Sequence, residues 1–243
     1  SEFLRILLHG PTGAGKSCFI NSVQRILLNR NFIGAHEQTT RSGTSFTLGL
    51  KVHRLGGHCP FVFTDIMGLE AEESGGIKPE DVIEVLKGHI LDGYTFNPVQ
   101  SITKDHKKYN KNPKLCDKVH CLVSIVPADN LSIMNSKVID KMRTIRQKAT
   151  ELAIPQVIVL TKVDQTCMMV NEDLRNISRS KKIKEKECSN ILGNSPNSIY
   201  PVKNYHAETT QDDDTDALIL MALRDIVNFA NDHVEDQLGT DNM

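Results

Sequence analysis

Gly10-Pro11-Thr12-Gly13-Ala14-Gly15-Lys16-Ser17 fits the spacing G-x-x-x-x-G-K-[ST]. That spacing serves one kind of chemistry, the holding of a polyphosphate. Backbone N–H groups of Gly13, Ala14, Gly15, Lys16, Ser17 and Cys18 can turn inward around phosphate oxygens, where the positive end of a following helix adds to the attraction. Lys16 would reach the β- and γ-phosphates, and the Ser17 hydroxyl would hold Mg²⁺.

Two further short patterns follow in order. Asp65-Ile66-Met67-Gly68 ends the apolar run Phe61-Val62-Phe63-Thr64. Asp65 could hold Mg²⁺ through water, and the Gly68 N–H could sense a γ-phosphate. Thr161-Lys162-Val163-Asp164 ends a second apolar run, Val157 to Leu160. Asp164 there can accept two hydrogen bonds from the N1–H and exocyclic amine of guanine, a pair that adenine does not present, while the Lys162 stem packs along the base. The three together imply a guanine nucleotide, GTP or GDP, with Mg²⁺, and count against an ATPase or a nucleoside kinase.

These groups need a frame that brings strand ends together. Phe3 to Leu8 reads as a buried strand entering the glycine-rich turn, and Cys18, Phe19, Ile20, Val23, Ile26 and Leu27 recur at helical spacing after it. Phe46, Leu48, Leu50 and Val52 alternate with polar residues, and Gly56-Gly57 turns the chain into Phe61-Val62-Phe63, which predicts a hairpin. Val119 to Val126, Val157 to Leu160 and Ile199 to Val202 read as interior strands. Helices are predicted around Val138 to Leu152, around Ile183 to Ile191 with Gly193 as its cap, and from Leu218 to Ala230 behind Asp212 to Thr215. The result is an α/β fold in three layers, about six mostly parallel strands with one antiparallel edge strand and helices on both faces.

Composition fits this picture. The chain has 243 residues, 39% hydrophobic and 24% charged, with net charge −1. That balance gives no electrostatic reason to expect specific nucleic-acid binding, and no apolar run approaches membrane-spanning length. Six scattered cysteines without a C-x-x-C pair suit reduced thiols. Cys116, His120 and Cys121 lie close together but have no second ligand pair at zinc spacing, so they read as residues flanking a buried strand. The basic runs Lys104 to Lys114 and Arg179 to Lys186 read as solvated faces. Residues 1–243 are expected to form a single nucleotide-binding domain excised from a longer chain, with a helical insertion at about 74–116. In that insertion Val82, Ile83, Leu86, Ile90 and Leu91 predict an amphipathic helix started by Pro79. It reads as packing on the sheet or as a surface for an unidentified protein partner.

The ordered motifs resemble the translation-factor-related GTPase class, and hence a P-loop GTPase fold. More closely, the GPTGAGKS loop, the DIMGL segment, Tyr94-Thr95-Phe96-Asn97-Pro98, Lys118-Val119-His120-Cys121 and Pro201-Val202-Lys203-Asn204-Tyr205 resemble the GTPase domain of the interferon-induced protein 44 family over nearly the whole chain. The resemblance implies a cytoplasmic, interferon-inducible antiviral protein with a GTP-binding fold. The family's longer members carry a further N-terminal region.

The sequence departs from a fast GTPase at two places. The glutamine that commonly follows D-x-x-G to orient the attacking water is replaced by Leu69, and Thr12 puts a side chain where small regulatory GTPases carry glycine. Slow Mg²⁺-dependent hydrolysis is the expectation, with Lys16, Thr40 and Gly68 as the catalytic set. Arg41, Glu70 and Glu72 are candidate substitutes, and a nucleotide-dependent homodimer could supply the missing groups in trans. The alternative is a non-catalytic interaction module with a structural nucleotide. Thr40, ahead of Thr39 and Thr44, is the expected switch threonine at the metal beside Ser17 and Asp65. Asn204 stands where a base-closing S-A-K loop is usual and is the expected contact at the rim of the base.

Overall fold

The computed structural model describes residues 3–29, 48–55, 59–165, 174, 188–206, 208 and 210–240. Six strands form one sheet in the order β2-β3-β1-β4-β5-β6: β1 Leu4–His9, β2 Lys51–Arg54, β3 Phe61–Asp65, β4 Cys121–Pro127, β5 Gln156–Thr161 and β6 Ile199–Pro201. All neighbours run parallel except β2, which pairs antiparallel with β3 at the edge. The central strands are apolar at nearly every position because both of their faces are covered.

One face packs on α1 (Lys16–Leu28) and α4 (Asp213–Thr240), where Ile6, Leu8, Phe63, Val123 and Val159 meet Phe19, Ile20, Ile219 and Ile226. Phe19 and Phe63 meet edge to face at 6.1 Å. The other face packs on α2 (Pro79–Leu86) and α3 (Ser136–Glu151), where Leu7, Leu122, Val126 and Ile158 meet Val82, Leu86, Met142 and Ile145. The α3 stripe Val138, Met142, Ile145 and Ala149 is buried as its spacing requires. α4 starts on a side-chain cap: the Asp212 carboxylate accepts from the Thr215 N–H at 2.9 Å and from its hydroxyl at 2.6 Å.

Three boundaries differ from the sequence pattern. The edge strand begins at Lys51, because Leu48 to Leu50 leave the sheet and bond to the insertion instead: the Phe96 N–H donates to Leu48 and the Leu50 N–H to Tyr94. The amphipathic helix stops at Leu86, and Ile90 and Leu91 form a bridge with Tyr109 and a bond to Lys108 rather than another turn. β4 starts at Cys121, with Val119 and His120 hydrogen-bonding back to Leu86 and Arg5. Residues of the segment 74–116 are thus packed against the rest of the fold, with Tyr94 and Phe96 buried edge to face at 5.2 Å. Gly193 is left-handed, with φ +76°, and its N–H caps Ser189 as expected. Phe46, Gly56, Gly57 and Ile183 lie outside the described residues.

Candidate functional site

The carboxyl ends of β1, β3, β4 and β5 converge on the turn between β1 and α1. Gly10 has φ +147°, and a Cβ there would stand 2.1 Å from the Ile125 carbonyl oxygen, so only glycine lets the chain leave β1 this close to β4. The first turn of α1 holds no acidic side chain of its own, so the helix itself supplies nothing to offset its positive end.

Lys16 is buried and curls over the loop, its Nζ donating to the carbonyls of Gly10 at 3.3 Å and Pro11 at 3.1 Å. Burial pushes its pKa down, while Asp65 pulls it back up. The Ser17 hydroxyl donates to Asp65 Oδ2 at 2.9 Å. Asp65 is buried at the end of β3, and burial pushes its carboxyl up against the opposing pull of Lys16 and Ser17. A hydroxyl and a carboxylate oxygen side by side at a phosphate loop are the hard oxygen donors that Mg²⁺ accepts, so the residues present fit that ion.

The D-x-x-G segment lies directly on the phosphate loop. The Leu69 N–H donates to Gly10 at 3.0 Å, and the Thr12 N–H donates to Leu69 at 3.2 Å, extending the β1–β3 ladder past both strand ends. A Cβ on Gly68 would stand 2.4 Å from Thr12 Oγ1, so this approach requires glycine. The Leu69 side chain is 1% exposed and turned into the core. Past it, Glu70 Oε1 accepts from the Thr12 hydroxyl at 3.1 Å. Lys141 of α3 donates to the carbonyls of Glu70 at 2.7 Å and Glu72 at 3.2 Å.

At the other side of the loop, Thr161 closes β5 and its hydroxyl donates to the Ala14 carbonyl at 2.6 Å. Lys162 is left-handed, with φ +57°, and its Nζ lies 3.8 Å from Asp129 Oδ2. Asp164 is half-buried in the turn Val163–Gln165 and has no hydrogen-bond or ion-pair partner among the described residues. Asn204 also reaches the phosphate loop, its Nδ2 donating to the Gly15 carbonyl at 3.3 Å. Its Oδ1 is buried with no partner among the described residues. Tyr205 fixes that loop: its N–H donates to Ser22 Oγ at 2.9 Å, its hydroxyl to Asp216 at 2.6 Å, and Arg25 covers its ring at 4.2 Å.

The fold therefore brings Lys16, Ser17, Asp65, Gly68, Thr161 and Asn204 to one loop, with Gly13 exposed at its tip, Ala14 buried, and Cys18 half-buried in the first turn of α1. Thr40, Thr39, Thr44 and Arg41 lie outside the described residues. His120 has both ring nitrogens engaged by main chain, accepting from the Arg5 N–H at 2.9 Å and meeting the Leu115 carbonyl at 2.9 Å. That is a structural role, and Cys116 and Cys121 lie exposed and buried respectively. Two features carry no sequence signal: the reach of Lys141 from α3, and the Thr12–Glu70 contact, which depends on how tightly Gly68 packs.

No family model matches the chain. Interferon-induced protein 44 of Homo sapiens is 35% identical over 238 residues, 96% of this chain and 53% of its own length. Interferon-induced protein 44-like of Homo sapiens is 31% identical over 240 residues, again 96% of this chain and 53% of its own. The chain spans about half the length of the curated relatives it matches. Among solved structures, a dimerization-deficient mutant of Toc33 from Arabidopsis thaliana superposes with TM-score 0.51 at 14% identity, covering 95% of this chain and 85% of that one. Toc33 in complex with GDP and Mg²⁺ gives 0.50 at 14%, covering 96% and 86%. A probable GTP-binding protein, engB, gives 0.51 at 11%, covering 94% and 99%. At these identities the likeness is one of fold, and the fold is the three-layer P-loop GTPase fold.

Proposed function

This chain is a relative of interferon-induced protein 44 and its 44-like counterpart across 96% of its length, and from that premise we propose a guanine-nucleotide-binding domain that slowly hydrolyses GTP to GDP and phosphate. The observation that carries the reading is the convergence of buried Lys16, the Ser17–Asp65 pair and the Thr161–Ala14 bond on a single loop. Backbone N–H groups from Gly13 to Cys18 receive the phosphates, and the Lys16 ammonium, now resting on main-chain carbonyls, turns to them. Ser17, Thr40 and Asp65 would hold Mg²⁺, which would neutralise charge on the β- and γ-phosphates. Gly68 contacts the γ-phosphate, Asp164 reads guanine, with Lys162 along the base, and Asn204 lies at the rim. The names of the relatives support a place in the interferon response; antiviral action and a cytoplasmic location belong to this proposal. The Toc33 complex with GDP and Mg²⁺ supports the choice of ligand, and the dimerization named for Toc33 supports a homodimer, whose dependence on nucleotide is part of this proposal. Among the described residues no helix is long and apolar enough to cross a membrane.

The test is calorimetric titration with GTP, GDP and ATP in Mg²⁺, followed by phosphate release. Guanine nucleotides should bind at micromolar Kd or tighter with little competition from ATP, and equal affinity for GTP and ATP sinks the guanine assignment. Release that survives Lys16→Ala points to a contaminant. The burial of Leu69 favours one second reading, a non-catalytic module whose nucleotide is structural. Tight binding with no phosphate release from the wild type selects it.

A further inference from the structure

Hydrolysis of GTP needs a water molecule held in line with the γ-phosphate, and Leu69 cannot hold it. Its side chain is buried, its N–H is bonded to Gly10 and its carbonyl to Thr12. Of the charged side chains weighed from sequence, Glu72 is exposed, Arg41 lies outside the described residues, and Glu70 alone is brought to the phosphate loop. Glu70 Oε1 accepts from the hydroxyl of Thr12, the third residue of that loop, next to Gly68, which faces the γ-phosphate in the proposed complex.

The side chain is also boxed in. Its main-chain carbonyl is held by Lys141 at 2.7 Å. A Cβ on Gly75 would stand 2.5 Å from Glu70 Oε2, and one on Gly76 would stand 2.7 Å from the Glu70 nitrogen. Gly75 thus leaves the room the carboxylate occupies, while Gly76 makes room for the main chain of Glu70, which Lys141 holds. Beside the phosphates of the proposed complex a carboxylate gains nothing from them directly, since like charges repel; what it can hold is a hydrogen-bond donor between them.

We infer that Glu70 orients the attacking water, with Thr12 as the residue that positions it. The inference rests on the reading of the site as GTP-hydrolysing. One oxygen of Glu70 is occupied by the Thr12 hydroxyl and the carboxylate's remaining acceptor capacity takes an O–H of the water. The water oxygen then forms a bond to the γ-phosphorus as the bond from that phosphorus to the β,γ-bridging oxygen breaks. GDP leaves with the electron pair, and the water's protons are shared between inorganic phosphate and solvent. Thr12, which crowds an arginine finger supplied from outside, thereby belongs to an internal arrangement that takes over part of the work of the missing glutamine.

The experiment compares wild type, Glu70→Gln, Glu70→Ala and Thr12→Val in single-turnover GTP hydrolysis. Fluorescent-GTP affinity and the fluorescence change of labelled GDP on adding aluminium fluoride, which mimics the transferring phosphoryl group, are measured in parallel. Glu70→Ala should slow hydrolysis at least tenfold and abolish the aluminium fluoride response while leaving GTP affinity within threefold. Glu70→Gln, which can still accept from both Thr12 and water, should keep most of both signals, and Thr12→Val should fall between. An unchanged rate in Glu70→Ala beside a hydrolysing wild type overturns the assignment and leaves the GTPase reading intact. A wild type that binds GTP but never hydrolyses it overturns the assignment together with hydrolysis, leaving the binding module; a wild type that binds no guanine nucleotide removes the whole reading. Equal loss in the Gln and Ala variants, with lowered melting temperatures, assigns Glu70 to structure alone and also overturns it.

Discussion

The hydroxyl of Thr161 donates to the carbonyl of Ala14 at 2.6 Å, tying the end of β5 to the middle of the phosphate loop. Both residues are fully buried. The bond fixes the distance between the glycine-rich loop and the loop that carries Asp164, so in the proposed complex it should act on any nucleotide that spans the two. Thr161→Val keeps the shape and removes the donor, leaving a buried carbonyl short of one partner at a cost of about 1–2 kcal/mol. The expected result is a rise of about tenfold in Kd for GTP and GDP alike, with the preference over ATP preserved. Calorimetry checks it, and an unaltered affinity in a folded variant would detach Thr161 from ligand binding.

Asp164 is half-buried in the turn after β5 with no hydrogen-bond or ion-pair partner among the described residues, so its carboxylate has acceptor capacity to offer a base. In the proposed complex it accepts two N–H groups of guanine. Asp164→Asn removes the charge and turns one acceptor into a donor, which should weaken GTP by about 2–4 kcal/mol. Xanthine carries a carbonyl where guanine has its amine, so xanthosine triphosphate should bind this variant better than GTP does. Competition between the two nucleotides reads the outcome, and an unchanged preference takes Asp164 out of the base site.

Leu69 suggests an obvious repair, the restoration of glutamine. The geometry predicts that the repair fails. The side chain at this position is 1% exposed and belongs to the buried apolar cluster on the α2–α3 face of the sheet. Leu69→Gln would bury an amide without partners and lose apolar contact, destabilising the fold by about 2–3 kcal/mol. Its single-turnover rate should not exceed that of the wild type. Denaturant midpoints and phosphate release measure the two effects, and a faster enzyme of normal stability would show that the segment turns over when GTP binds.

The sequence made the site's floor legible and left its rim dark, for a physical reason. Such motifs sit where a strand ends and a helix or turn begins, so local periodicity anticipates that Lys16, Ser17, Asp65 and Thr161 stand at those ends, around one loop, as the structure has them. Contacts between segments far apart in the chain have no such local pattern. Thr12 and Glu70 meet because β1 and β3 are neighbours and Gly68 lets their ends close, and Lys141 reaches the same segment from a helix whose stripe reports only its buried side. The same cause explains the edge strand. Alternation from Phe46 to Val52 is a good strand signal, yet Leu48 and Leu50 spend their main-chain bonds on Tyr94 and Phe96, a pairing set by the insertion.

His9, the last residue of β1, offers a test of how dry the ground beneath the phosphate loop is. It is 1% exposed, Nε2 lies 2.7 Å from Ser124 Oγ, and Nδ1 has no partner among the described residues. Burial, reinforced by the neighbouring Lys16 charge, lowers its pKa to about 3. The unfolded chain takes up a proton at His9 near pH 6.5, whereas the folded chain does not until about pH 3. The contribution to stability is therefore fully present above pH 6.5 and is lost progressively as the pH falls toward 3. Between pH 6 and about pH 4 the unfolded state holds up to one more proton at this site, a slope approaching ~1.4 kcal/mol per pH unit. His9→Gln removes that titration and should flatten the fall by this amount, even if it lowers stability at pH 7. Urea midpoints taken at half-unit steps from pH 7 to 4.5 give both slopes, and parallel lines for the two proteins would mean that the imidazole is protonated, or reached by water, in the folded state.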